Sequence, residues 1–158
     1  LGNIEAIFYL GNLYYNSQDY HLAAQCFRKV AETGDASAQM NLGVCYELGR
    51  GVSRDYTQAA YWYKKAAEQN DMIATYNLGC FHYDGRGVKQ DYTEAVRYFR
   101  KAAEQGYHKA QYNLGVCYYY GRGVKADMYE AKYWIRKAAL QDNPDAVKMA
   151  RDLNIPLN

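Results

Sequence analysis

The chain has 158 residues, of which 49% are hydrophobic, 23% are charged and only two are proline. This composition is typical of a globular protein, and no apolar stretch is long enough for a membrane-spanning helix. The formal net charge of +2 is too small to favour nucleic acid or an anionic membrane, so we expect neither nucleic-acid binding nor direct membrane insertion.

One sequence pattern recurs every 36 residues. Asn-Leu-Gly stands at 41–43, 77–79 and 113–115, and Gly-Arg-Gly-Val stands at 49–52, 85–88 and 121–124. An earlier copy keeps Leu10-Gly11 and Asp19-Tyr20 but is four residues shorter where the others carry Gly-Arg-Gly-Val, which indicates a surface turn. A fixed period of this length predicts stacked structural repeats.

The repeats divide the chain into one array over residues 1–158. Its units lie at about 4–35, 36–71, 72–107 and 108–143, and a C-terminal capping helix follows at about 144–153. Gly2 precedes Leu10 as Gly34 precedes Leu42, so we expect the chain to be part of a longer repeat protein.

The sequence pattern of each unit predicts two antiparallel helices. In the first, Ala38, Leu42 and Cys45 have the i, i+4, i+7 spacing of one buried face, and a glycine at 49, 85 or 121 ends the helix. The second helix begins at an aspartate with Gln or Glu three residues later, which predicts a capping box. Its predicted buried face combines alanine with larger side chains: Ala59, Trp62, Tyr63 and Ala66; Ala95, Tyr98, Phe99 and Ala102; Ala131, Trp134, Ile135 and Ala138.

These motifs resemble the Sel1-like repeat, a 36-residue relative of the tetratricopeptide repeat. The resemblance covers essentially the whole chain, although the first unit lacks the Gly-x-Gly-Val turn. It implies an all-α, right-handed superhelical solenoid of stacked antiparallel helix pairs, with the first helices on the concave side. It also implies an adaptor or scaffold role in protein complexes. Members occur in several compartments, so the resemblance leaves the location open.

A tyrosine-rich binding surface is predicted on that concave side. Helical geometry turns residues two before and five after the anchors Leu42, Leu78 and Leu114 toward it, and asparagines flank the anchors. The predicted partner-binding residues are Phe8, Asn12, Tyr15, Met40, Asn41, Glu47, Tyr76, Asn77, Tyr83, Tyr112, Asn113, Tyr119 and Tyr120. Two alternatives stay open: the tyrosines pack between helices, and the asparagines bond to the backbone of neighbouring helices between repeats. Tyr14, Tyr46 and Tyr118 are expected in the core.

The remaining patterns do not indicate catalysis or the binding of a phosphate or metal. The Gly-x-Gly turns lack the strand and lysine of a phosphate loop, and pairs such as Arg28-Lys29 suit solvated helix C-termini. Cys26, Cys45, Cys80 and Cys117 align with apolar residues, which predicts buried thiols and favours a reducing compartment such as the cytoplasm. The three histidines form no metal spacing, so we expect no metal or cofactor, and no catalytic motif is present.

The leading hypothesis is therefore a non-catalytic interaction module that binds a protein or peptide on the tyrosine-rich face. The resemblance also allows an immunity or inhibitor protein that neutralises a bacterial toxin or effector. A third hypothesis, from a different class, is a cell-wall or β-lactam-directed enzyme, which the absence of a nucleophile with its base disfavours.

Overall fold

The chain folds as an all-α repeat protein. The structure is a computed structural model and describes residues 3–157, so Gly2 lies outside the described residues. Within that range there are nine helices and no strand. They are α1 (Ile4–Asn16), α2 (Tyr20–Ala31), α3 (Ala36–Leu48), α4 (Tyr56–Glu68), α5 (Met72–Asp84), α6 (Tyr92–Glu104), α7 (His108–Tyr120), α8 (Met128–Ala139) and α9 (Pro144–Asp152).

The helices belong to two compact units. The first comprises residues 3–74 and 86–89 of the described chain, and there α2 packs against α1 and α3, and α3 packs against α4. The second comprises residues 75–85 and 90–157, and there α7 packs against α6 and α8, and α8 packs against α9. Within each unit, helices that follow one another in sequence are neighbours in space.

The predicted anchors of the first helices are buried. Leu42 and Leu114 are both 0% exposed. The glycine after each anchor lets the second helix of the pair approach: a Cβ on Gly43 would lie 2.6 Å from the ring of Tyr63, and one on Gly115 would lie 2.7 Å from Ile135. Glycine is required here because any side chain would overlap the facing helix.

In α8 both members of the predicted apolar pair, Trp134 and Ile135, are buried, but in α4 and α6 only one member of the pair is. Tyr63 and Phe99 are fully buried, whereas Trp62 and Tyr98 are half-buried. Adjacent helical residues point about 100° apart, so in α4 and α6 one of the two neighbours faces the core and the other faces its edge. Tyr98 instead stacks on His82, with ring centroids 5.5 Å apart. The prediction that both members of each pair are buried is therefore wrong for these two residues.

The aspartate caps are present, but the capping box is incomplete. Asp91 Oδ1 accepts hydrogen bonds from the backbone N–H groups of Thr93 and Glu94 at 2.9 and 3.0 Å. The N–H of Asp91 itself donates to the carbonyl of His82 at 2.8 Å, and the carboxylate of Glu94 accepts from Arg97 at 2.7 Å. In a reciprocal capping box the N–H of Asp91 would donate to the side chain of Glu94, but here it donates to the backbone of the preceding helix.

Candidate partner-binding clefts

Four of the predicted binding residues meet in one cleft of the first compact unit, which we call the N-terminal cleft. Its volume is about 170 Å3, and it lies among α1, α2 and α3. It is lined by Asn12, Tyr15, Asn16, Phe27, Met40, Asn41 and Val44. Phe8 lies beside it, half-buried, with its ring centroid 6.0 Å from that of Phe27.

Side chains in the N-terminal cleft hold one another in place. The ring of Tyr15 packs edge-on against Tyr20, with centroids 5.2 Å apart, and at a tilt against Phe27, with centroids 6.2 Å apart. Asn41 Nδ2 donates to Asn12 Oδ1 at 3.4 Å, so this pair links α3 to α1. This bond joins two side chains of neighbouring helices, whereas the alternative expected a bond to the helix backbone.

Glu47 has internal partners. Its carboxylate accepts from the hydroxyl of buried Tyr63 at 2.6 Å and from Arg86 Nη1 at 3.2 Å. The Arg86 side chain is 36% exposed and that of Glu47 is 22% exposed, so this ion pair lies at the surface of the first compact unit. A partner that used Glu47 would have to compete with both contacts.

In the second compact unit, Tyr76 and Asn113 also contact each other. Asn113 Nδ2 donates to the Tyr76 hydroxyl at 3.4 Å, and the Tyr76 ring lies 5.1 Å from that of Tyr107. Burial is the main cause that raises the pKa of Tyr76, since the phenolate loses its hydration. Asn77 is half-buried.

Tyr83, also in the second compact unit, has its own partners. Its ring centroid lies 5.0 Å from that of Tyr92, and its hydroxyl accepts a hydrogen bond from Arg122.

A second cleft of about 320 Å3 opens between α7 and α9, and we call it the C-terminal cleft. It is lined by Tyr112, Tyr119, Tyr120, Asp145, Lys148, Met149, Asp152 and Leu153. Tyr120 is 60% exposed and lies edge-on to Tyr119 at 4.8 Å. Burial, followed by the nearby carboxylate of Asp145, raises the pKa of Tyr112.

Sequence reasoning missed the charged side chains of the C-terminal cleft. Asp145, Lys148 and Asp152 are exposed residues of α9, the helix predicted only as a cap at 144–153. Their i, i+3, i+7 spacing puts all three on one helical face, and this signal could have indicated a polar wall.

The turn arginines were also missed. Arg50, Arg86 and Arg122 occupy the same position in the three Gly-Arg-Gly-Val turns. The second glycine of each turn has positive φ and lies against the start of a second helix: a Cβ on Gly51 would come within 1.9 Å of the Tyr20 carbonyl oxygen. This close backbone contact brings each arginine next to the residue five positions after Leu10, Leu42 or Leu78, which is Tyr15, Glu47 or Tyr83 respectively.

The basic residues at the ends of the second helices are not all purely solvated. Arg28 Nη2 donates to the hydroxyl of Tyr46 at 2.8 Å, and Arg100 donates to the hydroxyl of Tyr118. Tyr14, Tyr46 and Tyr118 are half-buried and pack against buried core residues, as expected for rings that lie between helices. A phenol at the core edge buries its ring and turns its hydroxyl to a polar partner.

Within residues 3–157 none of the four cysteines forms a disulfide. Cys45 and Cys117 are buried, and burial raises the pKa of each to about 11. Cys26 and Cys80 are only partly buried, so the prediction of a buried thiol is wrong for these two residues. Among residues 3–157 no group of three His, Cys, Asp or Glu residues is placed to hold a metal ion. No helix in the same range has the length and apolarity needed to span a membrane.

Comparisons with known proteins identify the repeats. The Sel1 repeat model matches residues 36–71, 73–107 and 108–143, and a tetratricopeptide repeat model matches residues 5–33. No curated protein is significantly similar to the chain.

Several solved structures, among them the following three, share the fold. A protective antigen of uropathogenic Escherichia coli with an SLR fold is 38% identical over 99% of this chain and 36% of its own, with a TM-score of 0.90. A Sel1 repeat protein from Oxalobacter formigenes is 35% identical over 91% of this chain and 60% of its own, with a TM-score of 0.85. Cysteine rich protein B of Helicobacter pylori is 23% identical over 80% of this chain and 96% of its own, with a TM-score of 0.64, and shares the fold alone.

The chain thus spans about a third of the E. coli antigen and three fifths of the Oxalobacter protein. Repeats of this kind generally mediate protein–protein interaction and are typically non-catalytic. Because the Sel1 model covers more than half of the sequence in three consecutive copies, the chain belongs to the Sel1 repeat family.

Proposed function

We propose that this chain is a non-catalytic adaptor module that binds segments of partner proteins in its clefts, one cleft in each compact unit. The observation that carries the proposal is the state of the tyrosines on the first helices. Tyr15, Tyr112 and Tyr119 are half-buried, so the fold holds each side chain while part of it stays accessible. Rigid aromatic side chains of this kind give a large contact area at a low cost in conformational entropy.

The chemistry of the cleft linings supports the same proposal. Tyrosine and asparagine supply hydroxyl and amide groups that can hydrogen-bond an extended peptide, and Phe27 and Met40 supply an apolar floor in the N-terminal cleft. Tyr120 exposes 60% of its surface at the C-terminal cleft, where a partner would cover it. We also propose that the chain works within a longer repeat array, because the two relatives that are 38% and 35% identical are longer than this chain.

The test begins with proteins captured from native lysate by the wild-type chain, each then identified and purified. Isothermal titration calorimetry measures their affinity for wild type and for Tyr119→Ala with Tyr120→Ala. We expect the double variant to lose at least about 2 kcal/mol of binding free energy, the scale of an interface hot spot. If the captured protein is an enzyme or toxin that the chain inhibits, the inhibitor alternative replaces the adaptor role.

The matched control removes two tyrosines outside the clefts. Tyr129 and Tyr133 lie on α8 and are 79% and 44% exposed, so Tyr129→Ala with Tyr133→Ala deletes the same chemistry from another surface. This control should bind the partner like wild type, and thermal melts should show both double variants folded. Loss of binding in the α8 variant, with binding retained in the cleft variant, would defeat the proposal.

A further inference from the structure

An arginine borders the N-terminal cleft. Tyr15 lines the cleft, and its hydroxyl accepts a hydrogen bond from Arg50 Nη1. The central carbon of the Arg50 guanidinium lies 5.4 Å from the ring centroid of Tyr15 and 5.0 Å from that of Tyr20. One hydroxyl and two rings therefore hold this cation in a defined place beside the cleft.

No carboxylate in residues 3–157 lies within ion-pair distance of Arg50, and the ring and hydroxyl partners described above are neutral. A guanidinium carries five N–H donors, of which the hydroxyl of Tyr15 uses one. Donors therefore stay available on a side chain that is only half-buried.

The next repeat shows which kind of group this turn position binds. Arg86 stands 36 residues after Arg50, and Glu47 occupies the repeat position that Tyr15 occupies in α1. Arg86 Nη1 donates to Glu47 Oε1 at 3.2 Å while its guanidinium lies 5.9 Å from the ring centroid of Tyr56. In this repeat the arginine of the same turn, with a tyrosine ring beside its guanidinium, therefore binds a carboxylate.

We propose that the N-terminal cleft binds an acidic segment of a partner protein, with an Asp or Glu carboxylate of that segment on Arg50 as Glu47 is on Arg86. The inference rests on the proposed function and adds the chemistry of the partner. A carboxylate matches two guanidinium N–H groups at once, which gives direction as well as charge. The cleft lining contains only amide, aromatic and aliphatic side chains, so no acidic group in it opposes such a segment.

The C-terminal cleft has a different electrostatic character. Arg122 also donates to a tyrosine hydroxyl, that of Tyr83, and lies 5.1 Å from the ring of Tyr120. Asp145 and Asp152, however, line that cleft and would repel an acidic segment. The inference therefore concerns the N-terminal cleft alone.

A random-sequence peptide display library, selected on the wild-type chain, tests this inference without a known partner. Peptides that lose binding to Tyr15→Ala are taken as ligands of the N-terminal cleft, and we expect them to be enriched in Asp and Glu. Each is then synthesised with its acidic residues intact and with amide replacements. Fluorescence anisotropy gives the dissociation constants.

Two variants in one turn separate a specific contact from long-range charge. Arg50→Gln and Arg54→Gln change the net charge equally, and Arg54 is exposed and lies 5.6 Å from the ring of Tyr56. We expect Arg50→Gln to weaken the acidic peptide by about tenfold or more, and Arg54→Gln by less than about twofold. Amide replacement in the peptide should weaken binding to wild type but not further to Arg50→Gln. Arg50→Lys, which keeps the charge but lacks the planar fork, should lie between wild type and Arg50→Gln, and melts check its fold.

Equal losses for the two glutamine variants would overturn the inference, since only the net charge would then matter. Selected peptides that require Tyr15 but carry no acidic residues would also overturn it, while leaving the proposed function intact. If no selected peptide depends on Tyr15, the N-terminal cleft is not a peptide site, and both the inference and this part of the proposed function fail.

Discussion

Helices α1 and α7 hold the same place in their repeats but differ in how far they are buried. Leu10 and Leu13 of α1 are 40% and 47% exposed, whereas the equivalent Leu114 and Cys117 of α7 are 0% and 1% exposed. The apolar face is present in both helices. Helix α7 lies between α6 and α8, while α1 packs mainly against α2. The repeat pattern thus decides which face of a helix is apolar, and the neighbouring helix pair decides whether that face is buried.

The largest expected effect separates these two helices directly. Leu114→Ala removes a side chain that is fully enclosed by its neighbours, so we expect a loss of about 2 to 5 kcal/mol in the free energy of unfolding. Leu10 is 40% exposed in the folded protein, so Leu10→Ala should lower the free energy of unfolding by about 1 kcal/mol or less. Urea denaturation followed by circular dichroism measures both. Equal losses would mean that Leu10 is covered in solution and that the comparison fails.

At the contact within one helix pair, we expect substitutions in α1 and α7 to cost similar amounts of stability. A Cβ on Gly11 would lie 2.9 Å from the ring of Phe27, and one on Gly115 would lie 2.7 Å from Ile135. Both overlaps are with the second helix of the same pair, so Gly11→Val and Gly115→Val should each destabilise by about 1 to 3 kcal/mol through overpacking.

The alanine variants of these two glycines give a graded series. Gly11→Ala and Gly115→Ala add only the Cβ, so each should lie between wild type and its valine variant in denaturation midpoint. A neutral Gly11→Val beside a damaging Gly115→Val would show that α1 and α2 are loosely packed even within their pair.

The sequence was sufficient for the helices and their anchors. A pattern such as Ala38, Leu42 and Cys45 repeats because each copy must bury the same face, and the positive-φ glycine at 49 marks where the helix ends. These signals are local, since they depend on spacing along one helix. The nine helices in the described residues begin and end close to the positions that such signals indicate.

Contacts between copies could not be predicted from spacing. The direction of Arg50 depends on the close approach of the Gly51 backbone to Tyr20, a contact between residues of different repeats. Whether a tyrosine is buried depends on the residue opposite it. Tyr46, for example, is half-buried and its hydroxyl accepts a hydrogen bond from Arg28. Thirteen residues were predicted for the binding surface, but which of them share a cleft follows only from such contacts.

The smallest expected effect is at the start of the second helices, where the first and last helix pairs differ again. Asp127 Oδ1 accepts from the N–H groups of Tyr129 and Glu130 at 2.9 and 3.1 Å, whereas Asp19 makes no side-chain cap bond to α2. The cause is the shorter turn between α1 and α2. Gln18 has a φ of 68°, and Asp19 has a ψ of 61°, outside the extended region of the other aspartate caps.

Asp127→Ala should therefore cost about 1 kcal/mol, because two N–H groups at the start of α8 lose their acceptor. Asp19→Ala should change the free energy of unfolding by no more than a few tenths of a kcal/mol, since no cap bond is lost. Asp127→Asn keeps an acceptor oxygen and serves as the matched variant, so it should recover most of the loss. A cost for Asp19→Ala as large as that for Asp127→Ala would show that α2 uses its aspartate cap in solution. The shortened turn would then have no effect on the helix that follows it.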